Sequence, residues 1–111
     1  MALEAGINGF GRFGLHLLKY WLDRNDQSHF NILYINDDHL DINKVYDLII
    51  NDQYVNFNKY KIQVSDDHLM ILEPNGRKHE ILFTNCKQAS IPWLGKPEIF
   101  FECSGKYTEA K

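Results

Sequence analysis

The sequence predicts an α/β domain, a mostly parallel sheet with an antiparallel hairpin insertion. Three observations carry that prediction. The first fifty residues alternate strand-like and helix-like patterns. The stretch Phe30 to Ile35 is apolar almost throughout, as a parallel strand covered on both sides requires. Tyr60 to Phe83 reads instead as short alternating strands with turn residues between them.

Taken in order, Leu3 to Asn8 is a short first strand, interrupted by Glu4 and Gly6 and running into Gly9. From Arg12 to Leu22 apolar side chains fall at helical spacing: Phe13, Leu17, Leu18, Trp21 and Leu22, with Leu15 alongside. Asp23-Arg24-Asn25-Asp26 makes a polar turn before the Phe30–Ile35 strand. A second helix runs from Asp41 to Ile50, with a stripe of Ile42, Val45, Leu48 and Ile49. Asp41 is its expected N-cap. Tyr60 to Val64 and Leu69 to Leu72 flank a turn at Asp66-Asp67-His68. Asn75-Gly76 signals a hairpin because both residues tolerate positive φ, with Glu80 to Phe83 as the returning strand. Pro92 and Gly95 frame a loop before a last strand, Glu98 to Glu102. Thr108 to Lys111 has the composition of a first helical turn.

Composition narrows the function. Of 111 residues 44% are hydrophobic and 14% aromatic, enough for a core and unlike a disordered tail. Lys and Arg number 12 against 15 Asp and Glu, a net charge of −3, which argues against a nucleic-acid or anionic-membrane partner. No apolar run approaches the roughly 18–20 residues that span a bilayer, and Met1 to Glu4 does not open a signal peptide. The 2 cysteines, Cys86 and Cys103, stand in no metal-ligand spacing, so a soluble, reducing, cytoplasmic setting is expected. Buried structural roles are expected for both, and none of the 5 histidines pairs at metal spacing. His16 reads as a helix-face residue, the other four as loop or turn residues. No catalytic or metal-binding residue is expected.

One string carries chemistry. Gly9-Phe10-Gly11-Arg12-Phe13-Gly14 is G-x-G-x-x-G between a strand and a helix, and Asp37 follows at the end of the next strand, about 20 positions beyond Gly14. Gly9 permits the tight turn, Gly11 admits a pyrophosphate close to the backbone, and Gly14 permits close packing. The helix start points unpaired N–H groups at the phosphates. Asp37 suits a ribose diol. Its charge, with that of Asp38, repels the 2′-phosphate of NADP, so NAD is the expected cofactor. The implied architecture is a Rossmann-type dinucleotide-binding fold with an incomplete second half.

Ile7-Asn8-Gly9-Phe10-Gly11-Arg12-Phe13-Gly14 closely resembles the I-N-G-F-G-R-I-G opening of the glyceraldehyde-3-phosphate dehydrogenase family. Ile35-Asn36-Asp37 looks like the family's I-N-D. Asp41-Ile42-Asn43 with Asp52 resembles its second helix and the aspartate of D-S-T-H-G. Ile91-Pro92-Trp93 matches I-P-W, and Glu102-Cys103-Ser104-Gly105 resembles E-S-T-G. The resemblance spans residues 1–111 as an NAD-binding domain, without the catalytic domain. It implies that the backbone of Arg12 and Phe13 holds the pyrophosphate, that Asp37 takes the adenosine ribose, and that Ser104 and Gly105 approach the nicotinamide-side ribose, with Tyr107 in place of the usual Phe. Cys86 stands where the family often has Arg or Lys beside the adenine. Of D-S-T-H-G only Asp52 is kept, in Asp52-Gln53-Tyr54-Val55-Asn56.

The family's S-C-T-T-N nucleophile segment and its histidine have no counterpart here, and Cys103 occupies a different position. The resemblance therefore implies the NAD-binding part of a phosphorylating, glycolytic aldehyde dehydrogenase whose parent is a homotetramer. Alternatives are a fragment of the related erythrose-4-phosphate dehydrogenases, or a non-catalytic nucleotide-binding or interaction module. The Ile99–Phe101 strand would be an apolar edge, so either the chain is a piece of a longer enzyme or self-association covers that edge.

Overall fold

The computed structural model describes residues Leu3–Ser104. Six strands form one sheet: β1 (Leu3–Asn8), β2 (Phe30–Asn36), β3 (Lys61–Ser65), β4 (His68–Leu72), β5 (Lys78–Thr84) and β6 (Ile99–Glu102). Their order is β3-β4-β5-β2-β1-β6. β5, β2, β1 and β6 are parallel neighbours, and β3 and β4 add an antiparallel extension to β5. The parallel part reproduces the 3-2-1-4 order of a doubly wound dinucleotide sheet. The fold class is Rossmann-type, as expected, with β5 in the place of the third strand.

Two helices connect the first strands: α1 (Arg12–Arg24) and α2 (Ile42–Asn51). Asp41 caps α2 as expected, its side chain accepting the Lys44 N–H at 2.9 Å. Leu15, Leu18, Trp21 and Leu22 of α1 join Val45 and Ile49 of α2 in one core. That core lies on Ala5 and Ile7 of β1, Ile32 and Ile35 of β2, and Ile81 and Phe83 of β5. Each such Leu or Ile contributes about 1.5–3 kcal/mol on burial. Phe13, assigned to the apolar stripe from its spacing, is 77% exposed. It belongs to the first turn, beyond the reach of the sheet.

Both helices thus pack on one face, where helices on both faces were expected. The other face carries the segment around Trp93, whose ring is 1% exposed and stacks on Tyr34 at 5.0 Å. Gly6 makes room for it: a Cβ there would stand 2.5 Å from the Trp93 ring. Because this segment covers the face only in part, Tyr34 and Phe100 stay half-buried.

The hairpin differs in detail. Gly76 alone has positive φ (92°), and its N–H donates to Glu73 O at 2.9 Å. Pro74 and Asn75 form the centre of that turn, and Asn75 Oδ1 accepts the Arg77 N–H at 2.9 Å. Pro at the second turn position and Gly at the fourth explain the shift from a two-residue loop. His68 and His79 lie in β4 and β5 rather than in turns. His79 Nε2 meets Glu73 Oε2 at 2.6 Å, with its ring edge-on to Trp21. Burial pushes the Glu73 carboxyl up, but hydrogen bonds from His79 and Asn25 outweigh it and leave the group below its usual range.

Candidate dinucleotide-binding site

The site lies where such sheets bind ligands, at the C-terminal ends of the parallel strands, between β1 and β6 where the strand order reverses. Asn8 ends β1. Gly9 then turns at φ 97°, with its N–H on Asn36 O at 2.7 Å. Phe10 is fully buried, and its N–H donates to Asp37 Oδ2 at 2.7 Å. Gly11 is the N-cap of α1 and supplies no side-chain cap. The first helical bond runs from Leu15 N–H to Gly11 O, so the N–H groups of Arg12, Phe13 and Gly14 have no acceptor within the helix.

The three glycines have separable reasons. A Cβ at Gly9 would stand 2.4 Å from the Ser104 backbone, and one at Gly14 would stand 2.4 Å from Gly9 O. Both are demanded by the fold. At Gly11 a Cβ would meet nothing within 4 Å. Packing within the folded chain does not call for a glycine there. A ligand backed against the loop does, and this is the observation that fits a pyrophosphate.

Asp37 is 8% exposed and lines the cleft while holding its wall. Besides Phe10 N–H, it accepts the N–H groups of His39 (2.8 Å) and Leu40 (3.0 Å) on Oδ1. An ionised carboxylate offers about four acceptor positions, so three backbone bonds leave capacity for a ribose hydroxyl. Asn85, just after β5, secures the same turn, donating to Asp37 O at 2.7 Å and Leu40 O at 2.6 Å.

Arg12 turns its guanidinium to Asp52 at 2.9 Å, over the Tyr54 ring at 5.7 Å. The ion pair raises Arg12 above its usual value. The hydrogen bond from Arg12, with backbone bonds from Val55 and Tyr54, holds the Asp52 carboxyl down at about 2. Asp52, the aspartate kept from D-S-T-H-G, thus pins the start of α1 from the loop after α2. Because its folded value lies below the ordinary 3.8, its stabilisation is complete above that pH and fades as pH falls towards 2. The stability gap between the wild type and Asp52→Asn, followed by urea unfolding, is therefore expected to be constant down to about pH 4 and to close towards pH 2.

The cleft encloses about 640 Å³ and brings together six of the expected residues: Gly9, Gly11, Arg12, Phe13, Asp37 and Ser104. Asn8 and Gly14 lie outside its lining, Asn8 beneath the loop and Gly14 against Gly9. Cys86 is not brought to the cleft; its N–H and carbonyl both bond the Asn36 side chain, at 3.0 and 2.8 Å. Gly105 and Tyr107 lie outside the described residues. Asp38, His39, Leu40 and Cys103 complete the lining; the sequence offers no ligand role for His39, Leu40 or Cys103.

Both cysteines are half-buried rather than fully buried. Burial and the charge of Glu102 push the Cys103 thiol up, away from a reactive thiolate. Among the described residues no group of three or more His, Cys, Asp or Glu side chains could hold a metal ion, and no helix is long and apolar enough to cross a membrane.

No curated protein matches the chain. A family model described as glyceraldehyde 3-phosphate dehydrogenase, NAD binding domain, matches residues 3–110. The parallel order β5-β2-β1-β6, the loop from Gly9 to Gly14 and the match agree: the chain belongs to the glyceraldehyde 3-phosphate dehydrogenase NAD-binding domain family, and its cofactor is NAD.

Proposed function

We propose that this chain is the cofactor half of a phosphorylating, glycolytic aldehyde dehydrogenase working in the cytoplasm. The open space at Gly11 carries the reading, because no packing contact within the fold requires a glycine there. The N–H groups of Arg12 and Phe13 hold the pyrophosphate, Asp37 takes the adenosine ribose, and Ser104 faces the nicotinamide-side ribose. NAD, when bound, accepts the hydride of the aldehyde being oxidised. The chain's own residues bind and orient; the nucleophile comes from the catalytic domain of the parent enzyme. The β6 edge, with half-buried Ile99 to Phe101, lies against further strands of that enzyme or a second subunit.

Asp37 and Asp38 favour NAD over NADP, since a 2′-phosphate placed beside two carboxylates meets like charge at close range. Calorimetric titration of the chain is expected to show saturable NAD binding, with NADP weaker by roughly tenfold or more at low salt. Equal affinities would overturn the specificity. Binding of neither, by a chain with a cooperative unfolding transition, would favour a module that keeps the fold without the cofactor.

A further inference from the structure

The four parallel strands end in register on four polar residues: Thr84 of β5, Asn36 of β2, Asn8 of β1 and Glu102 of β6. Their side chains form one continuous row of hydrogen bonds under the cleft. The Trp93 ring N–H donates to Thr84 Oγ1 at 3.0 Å, and the Thr84 hydroxyl donates to Asn36 Oδ1 at 2.6 Å. Asn36 Nδ2 donates to Asn8 Oδ1 at 2.8 Å, and Asn8 Nδ2 to Glu102 Oε1 at 3.0 Å. The other Glu102 oxygen, Oε2, accepts the Ser104 N–H at 3.2 Å and the Ser104 hydroxyl.

The row has a direction. Asn36 is fully buried, and Thr84 and Cys86 fix its orientation. Asn8, 6% exposed, must therefore turn its NH₂ towards β6. Position 102 must then accept from Asn8 on one side and from two Ser104 donors on the other, and only a carboxylate accepts on both oxygens. With its proton directed at Glu102, the Ser104 hydroxyl meets a ligand hydroxyl as the acceptor.

We infer that Glu102 is a positioning residue for the sugar bound on the β6 side of the cleft, acting through Ser104. This inference rests on the NAD-binding reading. The test measures three ligands against the full chain by calorimetry: NAD, ADP-ribose and ADP. ADP carries the adenosine and the two phosphates but not the second ribose. Glu102→Gln keeps the size of the side chain and an acceptor for Asn8, but turns an NH₂ towards the Ser104 N–H. Its thermal midpoint is expected to stay within a few degrees of the wild type. Its affinity for NAD and ADP-ribose should fall about tenfold, as loss of a hydrogen bond to a charged acceptor does, while ADP binds unchanged. Glu102→Ala should show the same pattern more strongly.

Unchanged NAD and ADP-ribose affinity in Glu102→Gln would overturn the inference. So would an equal loss for all three ligands, the mark of a merely structural residue. If the wild type binds ADP but binds NAD and ADP-ribose no more tightly, the β6 side takes no ribose and the inference fails while a nucleotide site stands. If it binds none of the three, the NAD-binding reading fails and takes the inference with it.

Discussion

Gly9→Ala is expected to lower the stability of the domain by about 3 kcal/mol or more, a large part of the roughly 5–15 kcal/mol available to a domain of this size. Two effects add. The native φ of 97° lies where an L-residue is strained by about 1–2 kcal/mol. The new Cβ would also stand 2.4 Å from Ser104 N and Cα and 2.7 Å from the Cys103 carbonyl carbon. All three are backbone atoms, so no side chain can rotate away. Relief requires parting the loop from the end of β6, which costs the Cys103 N–H bond to Asn8 O, 2.7 Å long. Urea unfolding measures the loss, and a variant within about 1 kcal/mol of the wild type would contradict this account of the loop.

Asn36→Ala is expected to cost about 3 kcal/mol, lowering Tm by roughly 10–20 °C. The Asn36 side chain is fully buried, and it makes four hydrogen bonds, to Asn8, Thr84 and both backbone groups of Cys86. The Thr84 hydroxyl can rotate to another acceptor. The Cys86 peptide groups and Asn8 Oδ1 cannot, and each buried group left unpaired costs about 1–3 kcal/mol. Asn36→Asp should be no milder, because it offers no donor to Asn8 Oδ1 or Cys86 O and places a charge at a buried position. Thermal unfolding of both variants checks this; a Tm within a few degrees of the wild type in either would show that the row relaxes or admits water.

Local chemistry was legible in the sequence. The helices follow from the spacing of Leu15, Leu18, Trp21 and Leu22, and of Val45 and Ile49. The Asp41 cap and the strand–loop–helix setting of Gly9 to Gly14 could be read directly. Features fixed by strand pairing could not. Asn8, Asn36, Thr84 and Glu102 lie far apart in the chain and become one row only through the registers of three parallel pairs. A common signal exists in retrospect: each ends an apolar strand with a polar residue at the rim. The family resemblance sets Cys86 beside adenine, while the bonds of its N–H and carbonyl to the Asn36 side chain appear only once the strands pair. From the sequence Asp37 has only roles towards the cofactor, on the ribose and against a 2′-phosphate. Its three backbone bonds show that it also builds the loop, so its removal would confuse binding with folding.

Gly11 avoids that confusion, which makes it the most direct test of the central claim that this loop exists to receive a pyrophosphate. Gly11→Ala is to be titrated with NAD by calorimetry beside the wild type, with the thermal midpoint of each recorded. The added methyl meets no protein atom within 4 Å. The two midpoints should therefore agree within about 3 °C. NAD affinity should fall by about a hundredfold, because the methyl occupies the space where phosphate meets backbone. Equal NAD affinity in the two proteins would show that no phosphate approaches Gly11, and would place the cofactor elsewhere.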